Sequence, residues 1–212
     1  MYFKNNEGLI IIENLIKEIQ QNKDFLSDID GKIGDGDHGI NMNKGFTLCE
    51  SRIAGKALTM SEGFSILSQI LMSEIGGSMG PLYGVFFAAL AEQSIDDKVI
   101  DEHLFLAMLT TGAAEIQDIG SARRGDKTLL DTLLPAIEAF DLALSREKSF
   151  FDSLEDLKLA AKEGWLSTES MIAKIGRASR LGERSRGVLD AGATSCYLIL
   201  KSISSTIQDI LE

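Results

Sequence analysis

Valine occupies only positions 85, 99 and 188 of this 212-residue chain, and no stretch alternates apolar and polar residues with the period of two that a half-buried strand needs. Strands are therefore scarce, and helical spacing must organise the core. Leu9, Ile12, Leu15, Ile16 and Ile19 fall on one face of a first helix, with charged residues opposite. Thr59 and Glu62 have capping-box spacing ahead of Phe64, Leu67, Ile70 and Leu71, which predicts a helix ending at Gly76-Gly77. Further helices are expected over about 40–53, from near Pro81 through Val85, Phe86, Ala89 and Leu90, and over about 102–119, 127–144, 153–175 and 191–211. Pro135 inside the sixth should kink it or mark a late start. The expectation is an all-α fold of eight helices in one domain spanning residues 1–212, with no linker, repeat or low-complexity tract.

A chain of this size buries roughly 70% of its unfolded surface and needs no covalent staples. Its net charge of −11 and pI near 4.7 argue against nucleic acid, whose phosphates it would repel. Cys49 and Cys196 lie far apart, form no CxxC pair and read as small core residues in a reducing cytoplasm. The N-terminal apolar stretch is broken by Glu13, so no signal peptide is expected. The longest apolar runs fall well short of the ~20 residues of a membrane span. A soluble cytoplasmic protein is expected, with no membrane contact.

One short run stands apart from the helices. Residues 30–39 crowd Asp30, Asp35 and Asp37 among four glycines, and His38, Gly39, Ile40 and Asn41 follow directly. Three carboxylates this close repel one another unless a cation holds them. A hard divalent ion such as Mg²⁺ suits carboxylates combined with substrate phosphates, and glycines let backbone N–H groups approach those phosphates. An acidic Asp/Gly turn without a ligand is the plain alternative. The spacing does not fit an EF-hand loop. Three more glycine-rich segments, 76–81, 120–128 and 176–192, each precede an expected helix start, so several helix N-termini should face one region. Residues 120–128 nearly match a P-loop, but Asp126 is inserted before Lys127 and no strand precedes, which rejects a Walker site. Residues 176–187 concentrate Arg177, Arg180, Arg184 and Arg186, whose forked donors match phosphate or ribose oxygens, although some must pair with surface acids.

Gly34-Asp35-Gly36-Asp37-His38-Gly39 with Asn41, Gly125-Asp126-Lys127-Thr128, and Gly176-Arg177-Ala178-Ser179 with Leu181-Gly182-Glu183-Arg184-Ser185 together resemble the nucleotide-binding L subunit of bacterial dihydroxyacetone kinases. The resemblance covers nearly the whole chain. It implies an antiparallel eight-helix barrel with the nucleotide at one rim. It also implies a kinase whose ketose sits on a separate K subunit and whose bound ADP is recharged to ATP by a phosphohistidine on an M subunit. A homodimer is left open. By the same resemblance Asp30, Asp35 and Asp37 would hold two Mg²⁺ ions, and His38, Gly39, Ile40 and Asn41 would contact phosphate. Gly77, Ser78 and Met79 would lie against the nucleotide, Gly120, Thr128 and Leu129 would line the base and sugar pocket, and Arg177 with Asp190, Ala191 and Gly192 would close over it. Arg186 would serve partner docking.

The chain departs from the family pattern at Ser78-Met79, at Ser121 and at Val188-Leu189-Asp190-Ala191. These departures bear on which ketose and which partners it meets. Two other readings are carried forward: an L subunit that exchanges ADP for free ATP and serves a kinase of another triose or tetrose, and a regulatory module whose nucleotide state a partner senses. A phosphohistidine carrier built on His38 is disfavoured, since the resemblance puts the phosphoryl group on the nucleotide.

Overall fold

Apolar residues at helical spacing do most of the folding. The computed structural model describes all 212 residues. It has nine α-helices: α1 (Leu9–Gln21), α2 (Lys23–Ile33), α3 (His38–Ile53), α4 (Met60–Glu74), α5 (Met79–Ser94), α6 (Glu102–Ile119), α7 (Leu130–Ser145), α8 (Phe150–Ser167) and α9 (Ala191–Ile210). The only strands, β1 (Tyr2–Lys4) and β2 (Val99–Asp101), pair antiparallel beside the chain ends. Eight helices form a closed ring: α1 packs on α3, each helix from α3 to α8 packs on the next, and α9 returns to α1. The ninth, α2, lies outside the ring against α3 and α9.

That extra helix corrects the loop expected around Asp30. Leu26, Ile29 and Ile33 are spaced as one helical face and are buried, so the segment coils despite its aspartates and Gly31. Asp30 therefore sits in the last turn of a helix. Other boundaries shift for local reasons. The expected Thr59–Glu62 capping box is formed at α4. Helix α3 begins at His38 rather than near 40, and α5 begins at Met79, which leaves Pro81 in the first turn where its missing N–H costs nothing. Helix α7 starts at Leu130, not 127, because Lys127 takes a left-handed φ of 63°. Helix α8 runs from the Ser149 cap only to Ser167, not over 153–175. There the hydroxyls of Ser167, Thr168 and Ser170 each donate to the carbonyl three residues back and compete with helical bonding.

The ring encloses a core of 45 buried residues centred on Phe87, whose ring lies 5.3–6.3 Å from those of Phe46, Phe64, Tyr83 and Phe86. Cys49 and Cys196 are buried free thiols of that core. At the end of the barrel that carries the strands, the buried Asn5 carboxamide ties Ser61 of α4 to the Ser94 and Asp97 carbonyls. Between α7 and α8 the backbones touch: Pro135 leaves the Asp131 carbonyl without its helical donor, and Gly164 packs on that carbonyl. A Cβ on Gly164 would lie 2.3 Å from the Asp131 oxygen. Gly164→Ala should therefore cost about 1–3 kcal/mol, seen as a melting temperature lower by several degrees. Gly76→Ala, at a position open to solvent on all sides, should leave thermal unfolding within about 0.5 kcal/mol of wild type. Circular dichroism melts of both variants check the contrast.

Candidate functional site

Because ring neighbours run antiparallel, alternate helices begin at one end of the barrel, and side chains lock those beginnings together. His38, the first residue of α3, places Nε2 2.9 Å from Ser195 Oγ on α9. Ser195 Oγ lies 2.7 Å from the Tyr83 hydroxyl on α5, and that hydroxyl donates to the Gly192 carbonyl at 3.1 Å. Leu129, the residue before α7, packs on Gly192, and Thr132 donates to the Ala193 carbonyl at 3.2 Å. The N-termini of α3, α5, α7 and α9 thus meet at one rim, and the free N–H groups and dipoles of several helices favour anions there.

Beside this rim stand the three aspartates. Each of Asp30, Asp35 and Asp37 offers a carboxylate oxygen, and the three oxygens lie within 4.8 Å of one another. Asp30 is half-buried and accepts from the His38 backbone N–H at 3.3 Å, while Asp35 and Asp37 are exposed. A side chain at Gly34 would collide with the Asp30 carboxylate, and Gly36 turns with φ 77°, so both glycines are needed to fold the connection back over Asp30. The Arg177 guanidinium pairs with the Asp35 carboxylate across the rim. Three clustered hard oxygens, one from the last turn of α2 and two from the exposed connection after it, are a donor set that fits Mg²⁺ with room for phosphate oxygens.

Burial dominates the electrostatics of the lower rim. Withdrawal from water pushes His38 down to about 4 against the pull of Asp30, so the imidazole is neutral at physiological pH. The Asp190 carboxyl rises to about 6 through desolvation, opposed by the Ala193 N–H that it accepts at 2.7 Å and by Lys127. Desolvation also raises the Tyr83 hydroxyl well above its usual range. Asp131, buried in the first turn of α7, accepts from the backbones of Gly125 and Thr128 at 2.5 and 2.8 Å and fixes that loop.

The remaining expected site residues occupy the same end. Gly39 is buried against α2, where a Cβ would meet the Lys23 carbonyl at 2.0 Å, so helix packing alone demands a glycine there. Ile40 is exposed and Asn41 half-buried in the first turn of α3. Gly77, with φ 76°, and Ser78 are exposed, and Met79 is buried at the start of α5. Gly120 closes α6 next to Leu82, Thr128 and Leu129 lead into α7, and Asp190 caps α9 ahead of Ala191 and Gly192. Arg186 is not the free donor expected, since it pairs with Glu183 and donates to the Ser170 carbonyl at 2.8 Å. Tyr83, Ser195, Asp131 and Lys127 were not expected in the site. All four lie within or no more than three residues beyond a glycine segment, but nothing in those segments singles them out.

A family model described as the DAK2 domain matches residues 32–205. The chain is 34% identical over 205 residues to the ADP-binding subunit DhaL of PEP-dependent dihydroxyacetone kinase 2 from Listeria innocua, covering 93% of each. It is 36% identical over 188 residues to the corresponding subunit of the Escherichia coli kinase, covering 85% of this chain and 87% of that one. The crystal structure of the dihydroxyacetone kinase from C. freundii in complex with AMP-PNP and Mg²⁺ shares the fold, with a TM-score of 0.71 at 23% identity, over 97% of this chain and 35% of that one. No helix is long and apolar enough to cross a membrane. This chain belongs to the DAK2-domain family, which includes the ADP-binding DhaL subunits of dihydroxyacetone kinases.

Proposed function

We propose that this protein is the nucleotide-binding subunit of a multi-subunit, phosphoenolpyruvate-dependent dihydroxyacetone kinase. In this role it carries the phosphoryl group on a Mg-bound nucleotide from a phosphohistidine M subunit to dihydroxyacetone held on a K subunit. The observation that carries the reading is the meeting of three carboxylates within 4.8 Å beside the clustered helix N-termini. Such a site takes an anion together with its cation. The near full-length match to ADP-binding subunits supports it. The chain acts as one cytoplasmic domain over residues 1–212.

On this reading Asp30, Asp35 and Asp37 hold two Mg²⁺ ions, which when bound neutralise charge on the phosphates during transfer. Residues His38 to Asn41 contact phosphate oxygens, Gly39 and Ile40 through first-turn N–H groups that have no partner within the chain, while the His38 and Asn41 N–H groups are held by Asp30 and Asp37 and the Ser195 bond fixes where the His38 ring points. Gly77, Ser78 and Met79 approach the nucleotide from α5, Gly120, Thr128 and Leu129 line the base and sugar pocket, and Arg177 and Asp190 to Gly192 close over it. Leu129 supplies an apolar wall that reaches into the core. No side chain here is placed to take a proton from a substrate hydroxyl. His38 is neutral but buried against Ser195, and His103 lies in the first turn of α6 at the opposite end of the barrel. The deprotonating group must then come from the ketose-bearing partner.

Chelation should release the nucleotide: protein dialysed with Mg²⁺ should retain ADP by mass analysis, and addition of EDTA should remove both the ADP and its thermal stabilisation. Asp35→Asn should abolish phosphoryl transfer and leave helical circular dichroism unchanged. ADP retention indifferent to chelator would count against the metal assignment.

The isolated chain should not phosphorylate dihydroxyacetone with ATP, whereas adding K subunit and phosphorylated M subunit should give turnover. Robust activity of the purified chain alone would overturn the split-kinase reading. Rapid exchange with free ATP, with no charging by any phosphorylated M subunit, would select the ATP-exchanging alternative.

A further inference from the structure

The stretch between α8 and α9 crosses the rim as an arch with little apolar anchorage. Within residues 171–190 only Ala173 and Ser185 are buried, and the 3-10 segment Arg177–Ser185 breaks helical geometry at Gly182. A segment burying so little surface has small local stability and needs another restraint to keep one position. Lys127 provides one. Its side chain is 1% exposed on a backbone with φ 63°, a conformation that Lys rarely adopts. Its Nζ donates to the carbonyls of Met171 at 3.2 Å, Ser185 at 2.5 Å and Val188 at 2.6 Å. All three donors of the ammonium are used, and the acceptors come from both feet of the arch. Ser185 reinforces the closure, since its Oγ accepts from the Ala173 N–H at 2.9 Å and donates to the Gly182 carbonyl at 2.7 Å. Burial lowers the Lys127 pKa, while Asp190 and Glu169 act in the opposite direction.

Arg177 sits on the arch between those clamped feet, and it is the arch residue that reaches the carboxylate cluster, at Asp35. We propose that Lys127 is a positioning residue for the site: by clamping both feet of the arch it sets Arg177 against the metal-site carboxylates. The assignment rests on the nucleotide-binding reading given above. A Lys127 that merely stapled the fold would stabilise the protein equally whether or not Arg177 was present. One that acts through the arch spends its effect on Arg177, so the two residues couple.

The test uses the full chain. With Lys127→Met, tryptic cleavage within residues 177–186 of the nucleotide-free protein should accelerate, and the Kd for ADP with Mg²⁺ should rise about tenfold. The Lys127→Met/Arg177→Ala double variant should bind ADP no more weakly than Arg177→Ala alone. Should Lys127→Met fail to fold, Ser185→Ala, which removes one hydroxyl and no charge, should move both readouts in the same direction by a smaller factor. Normal ADP binding by wild type, together with unchanged cleavage and affinity in the variants, would overturn the Lys127 assignment alone. A double-variant loss equal to the product of the single losses would do the same. Wild-type protein that binds no ADP would overturn the nucleotide reading, and the Lys127 assignment with it.

Discussion

Mutual repulsion of Asp30, Asp35 and Asp37 is the constraint around which the rim is arranged. Carboxylates at the separation seen here oppose each other by about 1 kcal/mol per pair in bulk water, and by several times that where water is partly excluded. A helix N-terminus returns only about 0.3–1 kcal/mol to a neighbouring anion, and Arg177 meets one of the three aspartates. Neither suffices to keep three charges together, so the cluster makes physical sense as a cation site. The helix termini are then available to the phosphates that the cation brings. The antiparallel ring makes this division possible, because it delivers the starts of α3, α5, α7 and α9 to the same end without any long crossover.

Below the rim the molecule is an apolar solid, and the two regions meet at residues that belong to both. Leu129 is part of the core cluster and lies beside Gly192, so this part of the rim is held by core packing. The His38–Ser195–Tyr83 chain crosses the top of the core through His38 Nε2, Ser195 Oγ and the Tyr83 hydroxyl, which keeps α3, α5 and α9 in register at their starts. The arch over the opening is the opposite case, with polar fastening and few buried side chains. Packing thus holds the helix starts, whereas the arch depends on a few polar bonds at its feet.

The helical class was legible because apolar periodicity is local, and so was the capping box at Thr59. The aspartate cluster was legible because its three members lie within eight residues of sequence. Helix α2 was overlooked because Asp24, Ser27, Asp28 and Gly31 resemble turn chemistry, even though Leu26, Ile29 and Ile33 carried a helical stripe. Gly39 could be noticed but not interpreted: its need for close approach comes from α2 backbone, which no motif announces. Tyr83, Ser195 and Lys127 were out of reach for a different reason. Their partners lie 44 to 157 residues away in sequence, and a lysine beside an aspartate gives no local sign that it will be buried under three carbonyls.

The same distinction bears on how a nucleotide carrier could serve two partners in turn. Donors already satisfied within the chain cannot be offered to a visitor without first breaking a bond, and Arg186 is committed to Glu183 and the Ser170 carbonyl. Arg180 and Arg184 are exposed on the arch and form no ion pair, which leaves them as its uncommitted cations in a protein of net charge −11. An acidic partner surface that met the arch would find these two donors free. A docking partner steered there arrives over the arch and beside the carboxylate cluster. On the proposed function, such a partner would meet the site on the side that carries Arg177, Arg180 and Arg184.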